Sequence, residues 1–140
     1  MTSASDRPVP RPSAWSAPFW EAARQGRLTI QVCNTCETRI MYPKKFCPQC
    51  MSEDLGWIDS LGDGEVYTFT VQVHGAPTGF ADSAPYVLAV IRLDEGVQLL
   101  SNVVGEGALT VSCGDRVSVD FMPMSDSDVV LPVFRLKTRA

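Results

Sequence analysis

The chain has 140 residues, of which 45% are hydrophobic, and its formal net charge at pH 7 is −4. This length fits one domain or two small ones, and the apolar fraction is ordinary for a globular protein. The acidic balance argues against binding along a nucleic-acid backbone, which needs a basic surface. There is no apolar run near the roughly 20 residues of a membrane span, and no secretory signal pattern at the N-terminus. We therefore expect a cytoplasmic protein.

The N-terminal region predicts a tail followed by a short helix. Residues 1–14 hold three prolines among small and polar residues, which is typical of a flexible tail. Residues 15–27 predict the helix, with Pro18 in its first turn and Gly26 at its C-terminal cap.

Three large aromatic side chains belong to this helix: Trp15, Phe19 and Trp20. A helix this short is not stable alone in water, so its aromatic residues must pack against something. The chain's own ribbon or barrel is one possibility, and a partner subunit is the other. The sequence leaves both open.

Four cysteines form two Cys-x-x-Cys knuckles: Cys33, Cys36, Cys47 and Cys50. Each knuckle can direct two sulfurs at one point, and two knuckles supply the four thiolates of a closed tetrahedral zinc site. Disulfides, or iron in a rubredoxin-like site, are the alternatives. A closed site has no free position for water or substrate, so we expect the ion to be structural.

Residues 28–61 are predicted to fold around this ion as a zinc ribbon of three short strands. The segment is too short to bury a sizeable core, and ordering it costs about 1–2 kcal/mol per residue in backbone entropy. Zinc binding of about 10–16 kcal/mol offsets much of that cost. We expect chelation to melt this segment, while the rest of the chain can survive.

Residues 62–140 predict an all-β domain with five strands: Glu65–His74, Tyr86–Leu93, Val97–Val104, Arg116–Phe121 and Leu131–Lys137. Their number and spacing fit a five-stranded OB-fold Greek-key barrel, with a β-sandwich fragment as the rival. The first strand alternates so that four apolar residues should face the core: Tyr67, Phe69, Val71 and Val73. Cys113 lies outside the metal spacing and is expected to be a small buried core residue.

The sequence shows no catalytic set. We find no glycine-rich phosphate loop, nucleophile elbow or paired carboxylates, and the single histidine, His74, is expected to be solvated or to cap a strand. Arg39, Lys44 and Lys45 form the ribbon's positive cluster. These cations either balance the anionic zinc–thiolate centre or contact phosphates of a ligand.

The order of these parts resembles the family of small proteins with an N-terminal rubredoxin-like zinc ribbon and a C-terminal acyl-CoA-associated OB-fold. The resemblance covers nearly everything from Trp15 onward. It is carried by the following stretches: Trp20-Glu21, Leu28–Cys33, the two knuckles with Pro43 between them, Trp57, Gly62–Thr70, Pro85–Val87, Ile91–Gly96 and Cys113–Val117.

The resemblance implies a partner. Members of that family commonly pair with thiolase-like enzymes that act on CoA thioesters by acyl transfer, thiolytic cleavage or retro-aldol cleavage. The reactive residues then belong to the partner, and this chain is a non-catalytic subunit that stabilises it and helps to form the acyl-CoA channel.

Candidate residues for this role follow from the resemblance. Trp15, Phe19 and Trp20 are candidates for the partner contact, and Lys44 and Lys45 for the CoA phosphates. Phe80, in the loop from Gly75 to Pro85, is a candidate channel wall.

The alternative function is a module that binds single-stranded nucleic acid, because zinc ribbons and OB-folds often do so. Such a barrel presents a basic groove with stacking aromatic residues. The acidic charge and the expected inward direction of Tyr67 and Phe69 weigh against it.

Overall fold

The computed structural model describes residues 8–74, 84–124 and 127–137. The predicted fold class is confirmed: the chain is mainly β, with one short α-helix, a three-stranded ribbon sheet and a closed five-stranded barrel. The elements are α1 Ala17–Arg24, β1 Thr29–Cys33, β2 Arg39–Ile40, β3 Leu55–Asp59, β4 Asp63–Gln72, β5 Tyr86–Leu93, β6 Gln98–Val104, β7 Arg116–Pro123 and β8 Val130–Leu136.

The ribbon sheet has the order β2-β1-β3, and both pairings are antiparallel. The barrel closes in the order β4-β5-β6-β8-β7, in which only β6 and β8 run parallel. The connector between β6 and β7 contains one 3-10 turn, Ala108–Thr110. This arrangement is the Greek-key barrel that the strand spacing predicts.

Helix α1 is shorter than the predicted residues 15–27: it ends at Arg24 with Gln25 as its C-cap, and the predicted cap residue Gly26 follows directly. Gly26 has a φ of +78°, which glycine adopts without strain. Its N–H donates to Ala23 O at 3.0 Å, and the next N–H, of Arg27, donates to Ala22 O at 2.9 Å. The buried face of α1 carries Phe19 together with these two alanines. The helix therefore packs on its own chain.

The ribbon and the barrel share one hydrophobic core. Phe19 of α1 and Leu28 and Ile30 of the ribbon lie in the same buried cluster as barrel residues such as Ile91 and Phe134. A second, small cluster surrounds the metal centre: Cys33, Ile40 and Cys47, with Leu55 against them. Only the outer end of the ribbon thus has a core of its own.

A polar clasp joins the β5–β6 hairpin to the ribbon. The carboxylate of Glu95 accepts hydrogen bonds from the Ser60 hydroxyl and from the Leu61 N–H, both at 2.9 Å. The Glu95 carbonyl accepts a third, at 2.9 Å, from the Arg39 guanidinium. Arg39 therefore uses one of its N–H donors to join the ribbon to the barrel.

The predicted alternation of β4 is wrong at Tyr67 and Val73 and right at Phe69 and Val71. Val66 is buried, Tyr67 is 50% exposed, and a β-bulge follows Val66. The bulge adds one unpaired residue, so the alternation restarts on the opposite face. Phe69 and Val71 then pack against the core, and Val73 lies exposed beyond the end of the strand.

The expectation that Cys113 is buried is also wrong, because this cysteine is exposed. It lies in the turn before β7, next to Gly114, whose φ is +90°. The turn is closed by Asp115, whose carboxylate accepts from the Ser112 N–H at 2.9 Å. A residue at such a turn faces solvent rather than the core.

Gly64 provides a test of the barrel's packing. A Cβ atom at this position in β4 would lie 2.5 Å from the carbonyl oxygen of Arg92 and 3.1 Å from Leu93 Cα, both backbone atoms of β5. We expect Gly64→Ala to lower the free energy of unfolding by about 1–3 kcal/mol, measured by denaturant titration. Gly56→Ala is the control, because its Cβ would meet only side-chain atoms, those of the exposed residue Asn34, at 3.3 Å. Equal effects of the two variants would contradict the expectation.

Candidate functional site

The four knuckle cysteines converge at one point. Their sulfur atoms all lie within 4.8 Å of one another. The Cys33–Cys50 and Cys36–Cys47 sulfur pairs are each 3.6 Å apart, and none of the four forms a disulfide. A tetrahedral site with Zn–S bonds near 2.3 Å has edges of about 3.8 Å. The donor set therefore fits a structural zinc ion; two of its cysteines, Cys33 and Cys47, are buried residues, and Cys36 and Cys50 are exposed ones.

The two knuckles are built alike. In each, the first cysteine accepts at its sulfur from the N–H two residues later, at 3.4 Å: Thr35 in one and Gln49 in the other. Its carbonyl accepts from the residue four positions on, Glu37 or Met51, at 2.9 Å. Both of those residues have positive φ, 67° and 66°. Sequence analysis missed them, and their position one residue after each Cys-x-x-Cys is the signal that locates them.

Hydrogen bonds within the knuckles lower the pKa of two of the four thiols. The backbone N–H of Cys36 is the main cause that lowers the pKa of Cys33 to about 6. The Thr38 hydroxyl, 3.0 Å from the Cys36 sulfur, lowers the pKa of Cys36 in the same way. At Cys50 the Ser52 N–H favours the thiolate, but burial and the neighbouring sulfurs together raise the pKa to about 12. A divalent cation is what allows all four sulfurs to ionise together.

Lys44 and Lys45 lie on the loop between β2 and the second knuckle, both exposed. The buried side chain of Gln31 holds this loop: it accepts from the Lys44 N–H at 2.7 Å and donates to the Lys44 carbonyl at 2.9 Å. Lys45 Nζ lies 5.7 Å from the centre of the Phe46 ring. The two lysine side chains are thus exposed to solvent, on a loop whose backbone Gln31 holds at Lys44.

The three aromatic residues of the N-terminal region differ in exposure. Phe19 is buried in the chain's own core, and Trp20 packs edge-on against it with ring centres 5.2 Å apart. Trp20 is only partly buried, and Trp15 is 44% exposed. Only the two tryptophans therefore offer surface to a partner. The loop residue Phe80 lies outside the described residues.

Tyr67, which the bulge turns outward, has one face of its ring covered by a cation. The Arg92 guanidinium lies 4.3 Å from the centre of its ring. That guanidinium is in turn 3.6 Å from the Glu65 carboxylate. The cation covers one face of the ring, and a carboxylate balances its charge.

The fold and the site together define a class of protein: a four-cysteine zinc ribbon joined to an OB-type barrel. Residues 20–56 match the family described as "ChsH2, rubredoxin-like zinc ribbon domain", and residues 57–122 match "ChsH2, C-terminal OB-fold domain". The chain belongs to this ChsH2 (DUF35) family, which confirms the resemblance drawn from the sequence. The matches divide within β3, and the predicted boundary after residue 61 stays a prediction.

Two curated proteins illustrate the relationship. The chain is 38% identical to a Thermomonospora curvata protein named "Probable enoyl-CoA hydratase alpha subunit", over 92% of this chain and 40% of that protein. It is also 38% identical to a "DUF35 domain-containing scaffold protein" of Methanocaldococcus jannaschii, over 73% of each. The chain thus spans about two fifths of the hydratase subunit that it matches.

A solved structure shares the whole architecture. The structure titled "Ltp2-ChsH2(DUF35) aldolase" contains a chain that is 36% identical, with a TM-score of 0.82. The match covers 91% of this chain and 98% of that one. Within the described ranges of our chain, no helix is long and apolar enough to span a membrane.

Proposed function

We propose that this chain is a non-catalytic, zinc-containing accessory subunit of a thiolase-like enzyme complex that acts on CoA thioesters in the cytoplasm. The observation that carries the proposal is its likeness to nearly the full length of a chain from a structure titled as an aldolase complex. A relative named as a hydratase alpha subunit supports CoA thioesters as the substrate class. The reaction would be acyl transfer, thiolytic cleavage or retro-aldol cleavage, as the resemblance implies.

The chemistry of the chain supports an accessory role. Four thiolates close the metal site, so the ion has no position left for water or substrate. His74 is exposed at the end of β4. In the part of the chain that the structure describes, no nucleophile lies against a base in a cleft. Bond breaking is therefore assigned to a partner that brings its own reactive residues.

Native pull-down tests this proposal. The tagged full-length chain, captured from the cells that make it, should retain a thiolase-like protein. The purified pair should turn over a CoA thioester, and the isolated chain should not. Turnover by the isolated chain, or a capture that yields no such protein, would refute the proposal.

Trp15 and Trp20 are our candidates for the partner contact. Exposed tryptophans at an interface are frequent hot spots, and truncating one costs about 2 kcal/mol or more of binding free energy. We expect Trp15→Ala with Trp20→Ala to weaken the complex by at least about thirtyfold, measured by surface plasmon resonance. Leu61→Ala is the control, because it truncates a hydrophobic side chain that is 83% exposed and is not part of the N-terminal aromatic set. If the double variant bound the partner with unchanged affinity, the two tryptophans would not be part of the interface.

Lys44 and Lys45 are our candidates for contact with the CoA phosphates. Reversing both charges with Lys44→Glu and Lys45→Glu should raise the KM of the complex for its CoA thioester and leave kcat nearly unchanged, since the loss is in ground-state binding. Lys44→Arg with Lys45→Arg keeps the charge and should retain the original KM. If the reversed variant keeps the KM, the phosphates bind elsewhere.

A further inference from the structure

One side of the cysteine cluster is open to solvent. Cys33 and Cys47 are buried residues, whereas Cys36 and Cys50 are exposed. The neighbours of the two exposed cysteines are exposed as well, over residues 34–37 in the first knuckle and residues 48–51 in the second. A small solute therefore reaches two of the four cysteines without any opening of the fold.

Each exposed cysteine lies against a buried cysteine of the other knuckle. The Cys50 sulfur is 3.6 Å from the Cys33 sulfur, and the Cys36 sulfur is 3.6 Å from the Cys47 sulfur. In both pairs one sulfur belongs to an exposed residue and its neighbour to a buried one. A chemical change at an exposed sulfur thus has a second thiolate in contact with it.

The two exposed cysteines differ in their hydrogen bonds. The Thr38 hydroxyl lies 3.0 Å from the Cys36 sulfur. Ser52 holds the matching position after Cys50, but its hydroxyl is paired with the Thr35 hydroxyl, at 3.0 Å. A hydroxyl that donates to a thiolate stabilises the negative charge and weakens the thiolate as a nucleophile. Cys50 is thus the more reactive of the two exposed sulfurs.

We propose that Cys50 and Cys33 form a peroxide-sensitive site within the zinc centre. The ligand sulfurs of a zinc site are thiolates, which is the form that attacks peroxides. The Cys50 thiolate attacks one oxygen of hydrogen peroxide, the O–O bond breaks and hydroxide leaves, so that Cys50 becomes a sulfenic acid. The Cys33 thiolate then attacks the Cys50 sulfur, an S–S bond forms and a second hydroxide leaves. The two thiolates lose two electrons, and the peroxide takes them up.

The disulfide ends metal binding. Two thiolates remain, those of Cys36 and Cys47, whereas a structural zinc site takes four ligands. The ion therefore leaves, and the free energy that its binding contributed to folding is lost with it. Because Leu28 and Ile30 of the ribbon belong to the core shared with the barrel, the change reaches the barrel. Oxidation of one exposed residue thus destabilises the whole chain.

The effect on the complex rests on the proposed function. Helix α1 packs on the shared core through Phe19 and carries Trp20, one of our candidates for the partner contact. When the ribbon opens, this helix loses part of its support. Peroxide should therefore detach the subunit from its partner, and a reductant with zinc should restore the complex.

Peptide mapping of the zinc-loaded full-length chain tests the site. Trypsin separates the knuckles, because residues 28–39 and residues 46–92 form two peptides with one Cys-x-x-Cys in each. Hydrogen peroxide is added, free thiols are blocked with N-ethylmaleimide as zinc release begins, and the digest is analysed by mass spectrometry without reduction. The first disulfide should join the two peptides through Cys33 and Cys50. A first disulfide within one knuckle, or one that contains Cys36, would overturn the assignment.

The metal provides a second readout in the same samples. A chromogenic chelator should record one zinc ion released for each Cys33–Cys50 disulfide formed. Dithiothreitol with added zinc should restore the original circular dichroism spectrum. Zinc release without a disulfide, or a loss of the spectrum that dithiothreitol does not reverse, would overturn the proposal.

A matched pair of variants keeps the metal and moves the reactive sulfur. Three cysteines and one histidine are a common structural zinc set, so Cys50→His and Cys36→His should each retain zinc, which atomic absorption verifies. Because imidazole does not form a sulfenic acid, Cys50→His should slow peroxide-driven zinc release at least about tenfold. Cys36→His keeps Cys50 beside Cys33 and should release zinc within about twofold of the native rate. Equal rates for the two variants would overturn the role of Cys50.

The outcomes separate this inference from the proposed function. Cys113 is an exposed thiol outside the cluster, so its oxidation reports that peroxide has reached an effective concentration. An isolated chain that keeps its zinc while Cys113 is oxidised would overturn the site and leave the accessory role standing. A chain that forms the Cys33–Cys50 disulfide and releases zinc, but captures no thiolase-like protein, would support the site and refute the accessory role.

Discussion

Replacing Cys47 by serine, or removing the metal with a strong chelator, is expected to unfold the ribbon and to destabilise the barrel with it. Cys47 is fully buried in the metal centre. Zinc binding by such sites contributes about 10–16 kcal/mol, which is comparable to the whole stability of a domain, about 5–15 kcal/mol. Because Leu28 and Ile30 of the ribbon complete the barrel's core, loss of the ribbon exposes one side of that core.

Amide hydrogen exchange read strand by strand, at a verified metal content, measures this effect. Protection in β1 and β3 should be lost first, and protection in β4 and β5 should fall as well. Cys113→Ser is the control, since Cys113 is an exposed thiol outside the cluster. It should leave both the metal content and the exchange pattern unchanged. Barrel protection that persists in full after the ribbon has melted would show that the shared core contributes little.

The expected loss of barrel stability differs from the prediction made from the sequence. That prediction was that chelation melts residues 28–61 alone, because the ion stabilises this segment, and that the rest of the chain can survive. The alternation in β1 indicates that Ile30 is buried, but not that it belongs to the same buried cluster as barrel residues such as Ile91. A core shared by residues so far apart in the sequence depends on how the two sheets pack, which no local pattern records.

The cysteine cluster was predictable because its signal is local. Two residues between ligands fix a tight turn, and repeating that turn brings four sulfurs together. The strand spans and the hairpin at Gly96 follow from alternation and turn residues in the same way, with Gly96 at a φ of +99°. The mirrored roles of Glu37 and Met51 were missed because neither residue type is typical of a positive φ.

The errors have equally specific causes. The bulge after Val66 reverses which side chains of β4 face the core before it, so that Val66 is buried and Tyr67 faces outward. An alternating sequence does not mark where a bulge falls. The parallel pairing of β6 with β8 brings together two strands that a long stretch of sequence separates. Alternation within each strand does not show which strand becomes its neighbour. This pairing, unlike the cysteine site, is therefore a property of the tertiary structure.

The same shared core makes Leu28 the position where a single side chain should matter most. Leu28 is 2% exposed, and it lies in the cluster that joins helix, ribbon and barrel. We expect Leu28→Ala to lower the free energy of unfolding by about 2–5 kcal/mol, since truncation of a buried leucine loses transfer energy and leaves a cavity. For a domain of this size each kcal/mol lowers the Tm by about 4 °C.

Leu61→Ala removes the same atoms from a site that is 83% exposed, and its effect should stay within about 0.5 kcal/mol. The comparison also has a readout on the metal. Because Leu28 precedes β1, which ends in the ligand Cys33, loosening its packing should speed zinc transfer to a chromogenic chelator, whereas Leu61→Ala should not. Leu28→Ala could lower stability and still leave the rate of zinc transfer at the control value. In that case the stability of the barrel would depend on packing against the ribbon, but retention of zinc by the ribbon would not depend on that packing. If the two variants were equally stable, the packing of Leu28 would make no measurable contribution to the free energy of unfolding.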